Sequence, residues 1–205
     1  MIVVRAGRTL GIAGAVAALL LLLCACGGST PEARKAAPTP IAKLNTAAMA
    51  IPRVDFCSRV PATAIRAALG TSHWRPASYR NGDRTGINGI TDTAAEDGCA
   101  WAADSGAALA RAWVFAPPVH SSLAHAVIAE AKAHPGCSLV HGPDFGKPSL
   151  TQRCKDSDGI RVRHAGLFGT TWLSCEVSDQ ARARAVRKRA NAWCVQIVNA
   201  LNTTR

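Results

Sequence analysis

Cysteine and histidine are the residues of this chain best suited to chemistry, eight of one and six of the other, so metal binding is weighed first. Structural zinc is held by close ligand pairs such as C-x2-C. The only close cysteines are Cys24 and Cys26, and they end an apolar N-terminal run. His120 and His125 would fall on different faces of a helix. No metal or other cofactor is therefore expected. A serine hydrolase would carry G-x-S-x-G at a strand-to-helix turn, and that motif is absent. The six cysteines beyond the N-terminal pair are an even set, which leaves no natural thiol nucleophile. Asp92, Glu96 and Asp97 form one acidic group and Asp156 and Asp158 another, neither with EF-hand spacing. Catalytic carboxylate pairs are set by the fold and not by spacing in sequence. An enzyme with a carboxylate site near Asp92–Asp97 therefore stays as the alternative to a non-catalytic protein.

Two basic groups suit binding. Arg161 and Arg163 alternate with Ile160 and Val162, which puts both arginines on one face of a strand. Trp172 has the parity opposite to Leu173 and Cys175, so it belongs to the outer face as well. Arginines beside a tryptophan make a surface for an anionic or planar ligand. In the other reading, Trp172 is tucked under the segment Thr71–Asp97. The second group is Arg187, Lys188 and Arg189, in a C-terminal stretch where Arg182, Arg184 and Arg205 add to the positive charge and Asp179 is the one acid. Such a stretch attracts anionic headgroups or acidic wall polymers in a salt-dependent way, or it is simply a solvated helix face.

These side chains need elements to hold them. Pro61–Leu69 reads as a short helix stopped by Gly70. Thr71–Asp97 is long and polar, and such a segment is either functional or hides a strand. Cys99–Ala103 and Ala107–Ala116 flank Asp104-Ser105-Gly106 as a hairpin. Ser121 or Ser122 is expected to cap a helix running to Ala133, and Cys137–His141 reads as a strand. Ile160–Leu167 and Thr170–Val177 form a second hairpin. Ser178 or Asp179 then caps a long helix in which Val186, Ala190, Trp193, Cys194, Ile197 and Leu201 make one apolar face.

Six cysteines in an exported domain read as three disulfides, with fifteen pairings open. A helix that follows a strand packs back on its sheet, which brings Cys194 to Cys175. Cys137 and Cys154 flank the Pro/Gly-rich segment 142–148 and can close it. Cys57 is left for Cys99. Free or differently paired thiols are the alternative.

The 205 residues carry a formal charge of +11 with 18% charged and 5% aromatic residues, which excludes collagen, coiled coil, a multi-span membrane protein and a wholly disordered chain. Arg5 and Arg8 precede the uncharged run Leu10–Leu23, as in a secretory signal. Leu23-Cys24-Ala25-Cys26-Gly27 resembles a bacterial lipobox, with Leu at −3, a small residue at −1 and Cys26 as the residue that takes a diacylglycerol and becomes the new N-terminus. Cleavage there removes residues 1–25 and a plain secretory signal is the alternative. Residues 26–53, rich in Ala and Pro, read as a flexible tether, and 54–205 as a single domain; the other reading docks Ile41–Ala50 on the domain as a short helix.

Phe56-Cys57 leading to Ala68-Leu69-Gly70, then Gly98-Cys99-Ala100-Trp101, Gly166-Leu167-Phe168-Gly169, Trp172-Leu173-Ser174-Cys175 and Trp193-Cys194 stand with the lipobox and the tether. In these short patches the chain resembles the small cysteine-rich lipoproteins of actinobacteria, most of unassigned function. More loosely it is similar to the extracellular sensor domains of some actinobacterial serine/threonine kinases. The resemblance implies an α+β domain with helices packed on an antiparallel sheet, and it brings no catalytic residues. The expectation is a lipid-anchored, extracytoplasmic, disulfide-bonded domain that acts by binding as an envelope accessory or sensor. Its partners would be the membrane through the diacylglyceryl anchor, and an envelope protein, anionic lipid or acidic wall polymer; nucleic acid is a poor partner for an exported protein. A surface-adhesion protein using the basic C-terminal helix is a further alternative.

Overall fold

The computed structural model of the chain describes residues 39–87, 90–157 and 159–202. The signal-like run, Cys26, the first part of the tether, Asp158 and Arg205 lie outside these residues. Among the described residues, nine strands and three α-helices follow one another as α1 (Ala62–Leu69), β1 (Trp74–Tyr79), β2 (Arg84–Ile87), β3 (Ile90–Thr93), β4 (Glu96–Ala103), β5 (Ala108–Phe115), α2 (Ser121–Ala133), β6 (Cys137–Leu139), β7 (Ser149–Asp156), β8 (Gly159–Phe168), β9 (Thr171–Asp179) and α3 (Ala183–Leu201). Seven strands form one antiparallel sheet in the order β1-β4-β5-β9-β8-β7-β6, and β2 and β3 pair as a separate hairpin. The domain is α+β, as expected from the hairpin signals and the C-terminal helix.

Alternation in sequence divides the sheet into two faces. In β5, Ala108, Ala110, Ala112 and Val114 are buried while the residues between them are half-buried. The same face carries Cys99 and Trp101 of β4 and Leu173, Cys175 and Val177 of β9, and α1 and α3 pack on it. Trp101 meets Trp193 of α3 edge to face, with centroids 5.3 Å apart, and the Trp193 indole donates to the Arg111 carbonyl at 2.9 Å. The opposite face is covered only in part. There α2 buries Ala124 and Ala131 against Leu150, Ala165, Leu167 and Trp172.

The expected disulfides are the ones present. Cys57–Cys99 ties the turn before α1 to β4, Cys137–Cys154 joins directly opposed residues of β6 and β7, and Cys175–Cys194 joins β9 to α3. Each contributes about 2–4 kcal/mol by restricting the unfolded chain. Three disulfides in one domain fit an oxidising, extracytoplasmic setting. Among the described residues no helix is long and apolar enough to cross a membrane.

Several local expectations change. Thr71–Asp97 is not a loop: it holds β1, β2, β3 and the start of β4, so the hidden-strand reading applies. Residues 39–53 are not a free tether. They run as two short 3-10 turns, Ile41–Lys43 and Thr46–Ala48, with Ile41 and Ile51 buried in the main core, so the segment docks on the domain but not as the single short helix of the alternative. Neither Ser121 nor Ser122 caps α2, whose N-cap is His120, and α3 starts after Arg182 and not at Ser178 or Asp179. The Asp179 carboxylate instead accepts from the Ala181 amide at 2.7 Å and pairs with Arg189. At the sheet margin, β1 is largely exposed and contains Arg75 and Pro76, while β6 at the other margin has only three residues.

Candidate functional site

The half-covered face is organised in rows, because residues opposed across antiparallel strands share a face and every second residue repeats the row. The first row reads Arg111, Glu176, Arg163, Gln152 across β5, β9, β8 and β7. The next reads Tyr79, Gly98, Trp113, Ser174, Ala165, Leu150. The third has Glu96 beside Phe115, and Trp172 beside Leu167. The first row is polar, the middle row mixes Tyr79, Trp113 and Leu150 with small residues, and the third row sets Glu96 beside aromatic and aliphatic side chains.

Ser174 and Ala165 are themselves 1% and 2% exposed, while Trp113, Phe115, Arg111 and Arg163 of the same face are half-buried and border open space. A cleft of about 780 Å³ is lined by Val127 and Ala131 of α2, by residues 92–96, and by Trp113, Phe115, Arg111 and Arg163 of the sheet. Drug-sized and metabolite-sized ligands occupy clefts of this size, about 300–1,000 Å³.

At the polar end, Glu176 is 2% exposed and sits between two arginines in register. Arg111 donates from Nε to Glu176 Oε1 at 2.8 Å and from Nη2 to the same oxygen. Arg163 donates to Gln152 Oε1 from Nε, at 3.1 Å, and from Nη2, and Gln152 Nε2 donates to the Ala131 carbonyl at 2.6 Å. Both guanidiniums lean over the Trp113 ring, 5.7 and 5.8 Å from its centroid. Burial, the largest influence, lowers the pKa of Arg163, so the fold holds this cation where a positive charge is poorly solvated. Across the cleft the Tyr79 hydroxyl donates to Glu96. Burial holds the Glu96 carboxyl above the ordinary carboxylate value, against the opposing influence of Tyr79 and Arg111. The phenol is raised too, by burial first and by Glu96 second. Gly98 makes this contact possible, since a Cβ there would lie 2.2 Å from the Tyr79 ring.

Of the residues singled out from sequence, Arg161, Arg163 and Trp172 all line this cleft. Trp172 is 1% exposed, so it is a wall and not an exposed platform, and α2 covers it rather than the 71–97 segment. Trp113, Arg111 and Glu176 complete the site. The sequence reading passed over Arg111 and Trp113; alternation within Ala107–Ala116 sets them opposite Ala110, Ala112 and Val114, but only the pairing of β5 with β9 brings them to Glu176 and Arg163. Asp92 and Glu96 contribute to the cleft wall.

Arg187, Lys188 and Arg189 do not form one patch, as consecutive helical residues point in different directions. Arg189 packs inward and pairs with Asp179 at 2.7 Å. Arg187 and Lys188 are exposed, and Arg187 borders a second hollow of about 370 Å³ with Arg153, Arg184, Val140 and Val162. Among the described residues no cluster of His, Cys, Asp and Glu has the arrangement of a metal site.

Comparison with family models, with curated proteins and with solved structures finds no match to this chain.

Proposed function

We propose that the protein is an exported, lipid-anchored component of the bacterial cell envelope whose domain acts by binding a small ligand and not by catalysis. The observation that carries this reading is the cleft of about 780 Å³ in which apolar side chains such as Trp113, Phe115 and Val127 stand beside Arg111, Arg163, Tyr79 and Glu96. The lipobox-like Leu23-Cys24-Ala25-Cys26 and the three disulfides support an extracytoplasmic place with Cys26 as the acylated residue. The likeness to actinobacterial lipoproteins agrees with it. A carboxylate enzyme is the weaker alternative: Glu176 is neutralised by Arg111, and Glu96 is hydrogen-bonded to Tyr79.

Ser174→Leu tests the reading, because it fills the cleft floor without removing a charged group. Full-length protein extracted from its native envelope in mild detergent is expected to carry a bound small molecule, seen by native mass spectrometry. The Ser174→Leu protein, with its three disulfides intact by mass mapping, is expected to lose it. A wild-type protein with no adduct, or a variant that keeps the same adduct, counts against the cleft as the ligand site.

A further inference from the structure

We infer that the hollow between α3 and β7, bordered by Arg153, Arg184 and Arg187, is a second ligand site, which takes the dianionic phosphoryl group of a phosphate monoester. The hollow lies on the opposite face of the sheet from the cleft and is independent of what the cleft binds.

Sheet register places the site. On the face that α3 covers, one row runs Val177, Val162, Arg153, Ser138 across β9, β8, β7 and β6. α3 packs on β9 and β8, so Val177 and Val162 are buried while Arg153, one strand further out, is exposed. Arg184 and Arg187 stand at i and i+3 of α3, which puts them on one side of the helix, and both are exposed. The three arginines border the same hollow of about 370 Å³, together with Val140, Val162 and Ala183.

The charge there is unbalanced, with three cations and no acid in the lining. Among the described residues none of the three arginines is in an ion pair. Asp179, the acid at the end of β9 on this face, is taken by Arg189 at 2.7 Å, and the exposed Asp144 does not border the hollow. Lys155, the next residue of β7 on the same face as Arg153, adds to the positive sign. Like charges gathered around one hollow disfavour the folded state, and an anion seated among them offsets that cost. A carboxylate neutralises one of the three. A phosphate monoester carries a charge of about −1.5 to −2 at pH 7 and three acceptor oxygens, so it meets guanidiniums from the strand and the helix at once. Arginine forms paired, charge-assisted N–H bonds to such oxygens.

The test titrates full-length protein in phosphatidylcholine nanodiscs calorimetrically with glycerol 3-phosphate, glycerate and glycerol at one low ionic strength, with protein-free nanodiscs as the blank. Glycerol 3-phosphate is expected to bind saturably and about tenfold more tightly than glycerate, with no binding heat from glycerol. Arg153→Gln and Arg187→Gln should each weaken it about five- to tenfold, and Arg187→Lys, which keeps the charge but not the paired N–H groups, about two- to threefold. Lys188→Gln, next to Arg187 in sequence but not bordering the hollow, should change it by less than about twofold. The same titration in nanodiscs that also hold phosphatidic acid identifies the source of the phosphoryl group: a lipid headgroup seated in the hollow abolishes the glycerol 3-phosphate heat, and a site for a soluble ester keeps it. Absence of saturable binding in phosphatidylcholine nanodiscs, or equal affinity for glycerate, overturns the phosphoryl site. A loss in Lys188→Gln as large as that in Arg187→Gln also overturns it, since overall surface charge then accounts for the binding.

Discussion

His164 sits on the helix-covered face, fully buried, and the fold settles its protonation. The Asn191 carbonyl oxygen can only accept, so His164 Nε2 donates to it at 2.8 Å, and Nδ1 accepts from the Thr151 hydroxyl at 2.9 Å. Burial is the main cause that lowers its pKa from 6.5 to about 4; Asn191 opposes and the Arg187 charge assists. Above pH 6.5 the ring is neutral in both folded and unfolded chains, and this group gives no pH dependence. As pH falls from 6.5 to 4 the unfolded chain takes up a proton that the folded one refuses. Stability is then lost by up to about 1.4 kcal/mol per pH unit, about 3 kcal/mol in total. Urea denaturation of the wild type is expected to show that slope, and His164→Gln to flatten it; the other histidines are exposed. At this scale the sequence was partly legible. Strand parity placed Arg161, Arg163 and Trp172 on one face, but a parity argument on one strand cannot say which neighbour stands opposite. Glu176 therefore stayed out of view, although it balances Arg111 at the head of the cleft.

At the scale of elements, legibility followed the strength of the periodic signal. The two hairpins and α3 were readable because each has a buried stripe of regular period. β1 was not: an edge strand exposed on most of its residues has no alternation to betray it. Helix starts were misread because serine and aspartate beside a helix serve turns as well as caps, as Asp179 does with Ala181. The segment 39–53 misled by composition, since Ala and Pro suggest a spacer while Ile41 and Ile51 supply the contacts that count. Replacing both by alanine is expected to cost about 2 kcal/mol each in chemical denaturation, because each leaves a void in the core. A change of a few tenths of a kcal/mol would instead describe a segment that merely lies on the surface.

The whole molecule is asymmetric. Two helices and two of the disulfides close one face of the sheet, while the other is half-covered by α2 and keeps the cleft. The fold class was legible because local hairpins and one terminal helix already limit how an antiparallel sheet can be covered. The cleft was not, since its lining comes from different strands, from α2 and from residues 92–96, which meet only in the assembled domain. The proposed anchor is a property of the whole chain and makes its own prediction. Cys26→Ala is expected to move the protein from the membrane fraction to the soluble extracytoplasmic fraction, with the three disulfides unchanged, as read by fractionation and mass mapping. A variant that stays with the membrane would show that acylation at residue 26 is not what holds it.

The margins of the sheet bear on how copies behave together. Pro76 has no amide hydrogen to offer a neighbour, and Arg75 beside it brings charge to the same strand, while the opposite margin is too brief to template a second chain. Where many copies crowd together, as on a two-dimensional surface, these borders discourage strand-to-strand polymerisation and favour separate molecules.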